Sequence, residues 1–336
     1  MTQRACCSEL VWNQEARNLA CKLASGRIRF FALTLTLVLV FAALTQAQCT
    51  GCAPPTPYSG WKPAITARAQ FQLQGVPTQC ATGGFNTNVS GKAVNGVLVS
   101  PDVYDIDLYA AYGATCPKYP TGAVNTDAVN AIHAAGKKAI CYVDIGSIEN
   151  YRPDYQDFVN FNNSCSRCLI GNKAFGANEK WLNLNNDKGQ RGWLIYEMTK
   201  RVTKCQQAGF DGVYFDEGWI WQVKNSGWTV DGNTQLLYNT AMLNVAHSDN
   251  LATVINYDLP QIPTLVPYED FHIDEQCFQY NECNTLLPVV QASKAVFQIE
   301  YKSNQSTVCP KEPGTYNWNT EFKKTSLYDY PWQTCF

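Results

Sequence analysis

Charge, histidine and methionine are all scarce in this 336-residue chain: 16% of residues are charged, and there are three histidines and three methionines. His133, His247 and His272 are scattered without ligand spacing, so no metal site built on imidazole is expected. The net charge is −2 and no basic stripe runs through the sequence, which argues against a nucleic-acid partner. No Gly-x-Gly-x-x-Gly follows the first apolar run, no flavin or haem signature is present, and no EF-hand loop occurs. No cofactor is therefore expected. Internal repeats and low-complexity tracts are missing too, which removes solenoids and disordered linkers from consideration.

Long apolar runs are almost absent. The one at residues 30–44 is short for a membrane span, follows Arg27 and Arg29, and ends in small and polar residues. That pattern predicts a signal peptide over residues 1–47, cut after Ala47, or a retained signal anchor, since the stretch before Arg27 is long for a signal. The expectation is a secreted monomer, with no stable membrane partner unless that segment stays attached. Twelve of the 15 cysteines lie beyond residue 47, an even number that suits disulfides in an exported protein. Cys277 and Cys283 are spaced to close a small loop. The Cys-x-x-Cys pairs at Cys49–Cys52 and Cys165–Cys168 read as disulfides rather than zinc ligands, because no histidine follows at finger spacing. Asn88, Asn162 and Asn304 head glycosylation sequons.

What is abundant is aromatic side chains, 12% of the residues. After a Cys/Pro-rich lead-in at 48–66, short apolar or alternating runs recur at 69–73, 103–109, 138–146, 181–184, 211–216, 252–259, 271–277 and 295–301. Helical patterns separate them at 126–135, 190–208, 234–250 and 283–292; the first two stop at Gly136 and Gly209. Eight strands alternating with helices predict an α/β fold, a single-domain (β/α)8 TIM-type barrel over residues 67–336.

The site of such a barrel lies at the C-terminal ends of its strands. Carboxylates gather there: Asp105, Asp107, Asp144, Asp216, Glu217, Asp258, Asp274, Glu275 and Glu300. A carboxylate within an apolar strand is costly unless paired or used, so this concentration predicts an acidic cleft. Paired carboxylates without a cofactor suit glycoside hydrolysis, in which one acid protonates the leaving oxygen and a second carboxylate attacks the sugar or activates water. Trp61, Trp219, Trp221 and Trp228 offer flat faces for sugar rings.

Six strings carry a specific resemblance: VYDIDL (103–108), ICYVDIGSIENYRP (140–153), GFDGVYFD (209–216), DLPQIPTLVPY (258–268), DEQCFQYNEC (274–283) and AVFQIEY (295–301). In order and spacing the chain resembles glycoside hydrolase family 114, the endo-α-1,4-polygalactosaminidases. The resemblance implies a TIM-type barrel, a galactosamine-containing polysaccharide as substrate, and Asp216 and Glu275 as the catalytic pair. We assign Asp216 as nucleophile and Glu275 as general acid/base, with retention of configuration; the reverse assignment is the alternative. Asp105, Asp107, Asp144, Tyr214, Glu217, Trp219, Asn256, Asp258 and Glu300 are the expected substrate-binding residues. A de-acetylated galactosamine chain is cationic, which an acid-lined cleft suits.

The chain departs from the family at two strands. Where the family's fifth strand usually reads Gly-Val-Glu-Pro-Asp-Asn, this one reads Gly212-Val213-Tyr214-Phe215-Asp216-Glu217, and the usual Lys-Asn-Asp of the sixth is Asn256-Tyr257-Asp258. Alternation puts residues 214 and 216 on one face. Losing a buried Glu and Lys together avoids stranding either charge, so Tyr214 and Asn256 are expected to lie within hydrogen-bonding reach of one another. The altered residues also motivate an alternative function, a barrel that binds polysaccharide without cleaving it or with shifted specificity.

Overall fold

The computed structural model describes residues 49–110, 122–176, 178–312 and 318–336. The expected signal segment, residues 1–47, lies outside them. No described helix is long and apolar enough to cross a membrane.

The strands are β1 (Ala69–Phe71), β2 (Gly91–Lys92), β3 (Leu98–Val99), β4 (Val103–Asp107), β5 (Lys138–Asp144), β6 (Ser147–Glu149), β7 (Ile170–Lys173), β8 (Glu179–Leu182), β9 (Gly212–Asp216), β10 (Ala252–Ile255), β11 (Phe271–Glu275), β12 (Ala295–Glu300), β13 (Asn319–Phe322) and β14 (Gln333–Thr334). The longer helices are α1 (Thr126–Ala134), α2 (Tyr155–Ser164), α3 (Gln190–Ala208) and α4 (Gly232–Ser248). Two arcs of parallel strands, β1-β4-β5-β9-β10 and β11-β12-β13, make up the eight staves of a TIM-type barrel.

The two seams between the arcs are held largely by side chains. Between β10 and β11, the Asp270 carboxylate accepts from the Thr253 amide at 3.1 Å and Glu269 accepts from the Ile255 amide at 3.2 Å. Between β13 and β1, Glu321 accepts from the Phe71 amide at 3.0 Å, and Trp332 Nε1 donates to the Ala69 carbonyl at 2.9 Å. Each of these backbone groups would otherwise be orphaned at a buried strand edge.

Two expectations need correcting. The run at 181–184 is no barrel stave; its first residues end β8, which pairs antiparallel with β6 and β7 in a separate three-stranded sheet inserted after β5. The eighth stave is β13, whose sequence NTEF has little apolar signal, because Glu321 points to a seam rather than to a hydrophobic layer. The helices follow their caps. Gly136 and Gly209 adopt φ of +73° and +89° and stop α1 and α3, as left-handed glycine does. Asp231 caps α4 by accepting from the Thr234 amide at 2.7 Å.

The core has two shells. Phe71, Val103, Ile140, Tyr214, Val254, Phe271 and Phe297 fill the barrel interior. Ile106, Val143, Val213, Leu194, Met198 and Leu243 pack strands against helices. The Cys141–Cys205 disulfide ties β5 to α3, and Cys49–Cys52, Cys165–Cys168, Cys277–Cys283 and Cys309–Cys335 are also bridged. The Cys-x-x-Cys pairs are thus disulfides.

Candidate active site

Asp144 and Asp216 are register partners at the ends of β5 and β9, two residues beyond the partners Tyr142 and Tyr214. The two-residue period therefore stacks tyrosines beneath carboxylates on the inner face. Glu275 ends β11 across the barrel. Tyr214 joins the two halves: its hydroxyl lies 3.2 Å from Asp216 Oδ1 and 3.5 Å from Glu275 Oε1. Two oxygens sharing one such neighbour can be no more than about 7 Å apart, which rules out the widest carboxylate pairs of inverting enzymes. Each acid also has a tyrosine of its own. Tyr142 donates to Asp216 Oδ2 at 2.7 Å, and Tyr301 donates to Glu275 Oε2.

Asn256 completes the centre, its amide donating to the Tyr214 hydroxyl at 2.5 Å and lying 3.5 Å from Glu275 Oε1. Tyr214 and Asn256 are thus within the reach that the paired-replacement argument requires. Asp216, Asn256 and Glu275 are each followed by a residue in the left-handed region: Glu217 (φ 60°), Tyr257 (φ 68°) and Gln276 (φ 66°). Such strain gathers where a scaffold over-determines the backbone, as functional sites do. Two of these turns are held by short bonds, Glu217 N to Asp216 Oδ1 at 2.9 Å and Tyr257 N to Asn256 Oδ1 at 2.7 Å.

Burial raises the proton affinity of both acids. It pushes Asp216 up to about 6, moderated by hydrogen bonds from Tyr142, the Glu217 amide and Tyr214. Burial, with the Asp216 charge added, pushes Glu275 up to about 7. The two acids therefore titrate as a pair, both above the ordinary carboxylate range. Tyr142 also lines a cavity of about 100 Å³ with Asp107, Glu149, Tyr151 and Arg152.

The family model for glycoside-hydrolase family GH114 matches residues 53–336. The chain belongs to family GH114. Among solved structures, this GH114 protein is similar to Aspergillus fumigatus Ega3, whose crystal structure is a complex with galactosamine: 25% identity, TM-score 0.61, covering 83% of this chain and 98% of that one. It also shares its fold with the glycoside hydrolase domain of PelA from Pseudomonas aeruginosa, at 10% identity and TM-score 0.50, covering 80% of this chain and 97% of that one. Comparison with curated protein sequences gives no match.

Around the centre of the GH114 site, the expected binding residues divide. Asp105 lies buried inside the barrel, and neither of its oxygens has a hydrogen-bond partner among the described residues. Burial first, then the charges of Glu321, Asp216 and Glu275, raise its proton affinity well above the usual carboxylate range. Asp144 accepts from the Gly146 and Ser147 amides, both at 2.9 Å, and so fixes the turn into β6. Gly146 has to be glycine, since a side chain there would collide with the Glu217 carbonyl. Glu217 accepts from Trp219 Nε1 at 2.7 Å.

Asp107 is not free to bind a sugar amine: Arg152 clamps it through Nη1 at 2.6 and 2.8 Å while also bonding Glu149. Asp258 accepts from Trp221 Nε1 at 2.8 Å and Asn239 Nδ2 at 3.0 Å, and holds a loop to α4. Glu300 lies outside the site. It is the inward-facing Ile299 and Tyr301 that alternate with it, and its carboxylate points outward to accept from the Phe278 amide at 2.9 Å. Trp61 packs beside Lys138 at the start of β5, the opposite end of the barrel. Residues not singled out from the sequence are Tyr142, Tyr301, Tyr257 and Glu179. Counting back two from Asp144 and on two from Ile299 finds the first two; Tyr257 is itself in the left-handed region, which breaks the alternation, and gives no such signal.

Proposed function

We propose that this GH114 protein is a secreted hydrolase that cleaves internal α-1,4 linkages of galactosamine-containing polysaccharide by double displacement. Asp216 Oδ attacks the anomeric carbon as the glycosidic C–O bond breaks, and the Glu275 proton passes to the leaving oxygen. Glu275, now a carboxylate, takes a proton from water. The water oxygen attacks the same carbon and releases Asp216, so configuration is retained. The observation that carries this reading is the Tyr214 hydroxyl shared by Asp216 and Glu275, which brings two carboxylates from opposite sides of the barrel to one point.

Three features support the roles and the substrate. Burial raises both acids above the ordinary carboxylate range, which lets the pair keep the proton that acid catalysis needs near neutral pH. Among the described residues, no Lys, Arg or His forms an ion pair with Asp144, Asp216, Glu217 or Glu275. A cluster of acids without cations suits a cationic sugar. The galactosamine bound in the Ega3 structure points to the same class of sugar. Secretion is supported by five disulfides between described residues.

Mass spectrometry of products from galactosamine polymers, with and without N-acetyl groups, tests the proposal. Internal cleavage with initial products in the α-configuration is the expected result. Tight retention of the polymer with no new reducing ends would leave a binding protein instead.

A further inference from the structure

Helix α4 carries two fully buried amides about one turn apart, Gln235 and Asn239. A buried amide is costly unless its polar atoms find partners, and those of Asn239 all do. Its Nδ2 donates to the Gly218 carbonyl at 2.9 Å and to Asp258 Oδ2 at 3.0 Å, while its Oδ1 accepts from Gln235 Nε2 at 2.8 Å. Gln235 Oε1 in turn accepts from the Trp221 amide at 3.3 Å. Gln235 therefore sets which way the Asn239 amide faces, and both of its N–H groups are committed.

The two acceptors of that amide belong to different turns. The ladder between β9 and β10 closes with the Asn256 amide on the Phe215 carbonyl at 2.9 Å. Past it, each chain passes through a left-handed residue, Glu217 in one and Tyr257 in the other. Gly218 and Asp258 come directly after these kinks. A side chain at Gly218 would collide with Ile255, so the two turns pack in direct contact. Directly before the kinks stand Asp216, whose Oδ1 accepts from the Glu217 amide at 2.9 Å, and Asn256, whose amide donates to the Tyr214 hydroxyl. A left-handed residue that bears a side chain persists only where its surroundings fix it. Asn239 supplies such fixing one residue beyond both kinks at once.

We propose that Asn239 is a positioning residue for the hydrolysis: its amide, oriented by Gln235, ties the turn after Asp216 to the turn after Asn256 and so holds the nucleophile against the hydroxyl it shares with Glu275. The inference rests on the proposed function, because it takes Asp216 to be the nucleophile. Asn239 bonds to the Gly218 carbonyl and to Asp258, so it acts on Asp216 through the backbone. The group that reaches Asp216 is the Glu217 amide, on the same short stretch of chain as the pinned carbonyl. Freeing Gly218 therefore weakens a hydrogen bond that lowers the proton affinity of Asp216.

The test is steady-state kinetics across pH on galactosamine polymer, comparing the wild type with Asn239→Ala under conditions where a urea curve shows each protein folded. The variant's kcat is expected to fall about ten- to a hundredfold, as misplaced reacting groups cost, with KM held within about twofold. The acid limb of its profile should move to higher pH, because Asp216 loses part of a bond that favours its charged form, while the alkaline limb stays in place. An amide with a merely structural role would lower the urea midpoint and leave both limbs where they are. Gln235→Met keeps the side-chain volume but removes the group that orients Asn239; it should give the same pattern in smaller measure, and it carries the test if Asn239→Ala does not fold. An unmoved acid limb in the folded variants overturns the proposal and leaves the hydrolytic reading standing. A wild-type protein that releases no product from the polymer overturns both.

Discussion

The Asn256 amide donates to the Tyr214 hydroxyl across 2.5 Å, from the loop after β10 to the middle of β9. This bond leaves the tyrosine proton free to point at the carboxylates, because the hydroxyl oxygen is already serving as acceptor. Only one proton is available, so Asp216 and Glu275 compete for it, and the stronger anion at each step wins. Tyr214→Phe should therefore lower kcat by about ten- to a hundredfold with little change in KM, as a charge-assisted bond is lost in the transition state. Because Asn256 acts through that hydroxyl, Asn256→Ala should cause little further loss in the Tyr214→Phe background. A double-mutant cycle on kcat checks this, and additive losses would show that the two residues act separately.

The roles proposed for the two acids set the pH profile. The reactive form has Asp216 ionised and Glu275 protonated. As pH falls through about 6, Asp216 takes up a proton and activity is lost; as pH rises through about 7, Glu275 loses its proton and activity falls again. A narrow bell centred between those values is expected for kcat/KM. In Glu275→Gln the alkaline limb should vanish along with most of the rate on unactivated polymer. A profile that rises monotonically to pH 9 would mean that Glu275 does not act as the acid.

Much of this site was legible because it follows a two-residue period. Asp105, Asp107, Tyr142, Asp144, Tyr214, Asp216 and Tyr301 all face one side of their strands, and the sequence carries that alternation openly. What alternation cannot show is which neighbour an acid meets. Asp107 looked like a binding residue until Arg152 arrived from the turn after β6 to clamp it. Similarly, the run at 181–184 has the composition of a barrel strand, and only long-range pairing with Ser147–Glu149 places part of it in another sheet. β13 failed in the opposite way, since its inward Glu321 serves a backbone amide at a seam, where polarity is required.

Glu300 supplies a contrast with Glu275 that separates structure from catalysis. Its carboxylate is fully buried and satisfies the Phe278 amide and Gln298 Nε2, both near the Cys277–Cys283 loop. Glu300→Ala should destabilise the fold by about 1–3 kcal/mol by orphaning these donors. The kcat of the folded fraction should stay at the wild-type value, measured beside an urea unfolding curve. A loss of kcat with unchanged stability would return Glu300 to the cleft.

Buried acids without cations also predict how stability depends on pH. Asp258 and Glu312 are each pushed up to about 8 by burial, and the pair at the site lies above its unfolded values as well. Unfolded carboxyls titrate near about 4. Between these limits the folded chain holds more protons than the unfolded one, so stability must fall as pH rises. Asp154 and Asp270, whose proton affinities are lowered by Arg201 and by His247 and Lys62 respectively, act oppositely, but they lose their contribution only as pH drops below the ordinary carboxylate range. The melting temperature should thus be highest at mildly acidic pH and decline steadily from about 5 to 8. Asp258→Asn removes one titrating group and should flatten that decline, even though it weakens the contacts to Trp221 and Asn239. A melting temperature that climbs through neutrality would mean that these acids are ionised in the folded protein, and with them Glu275.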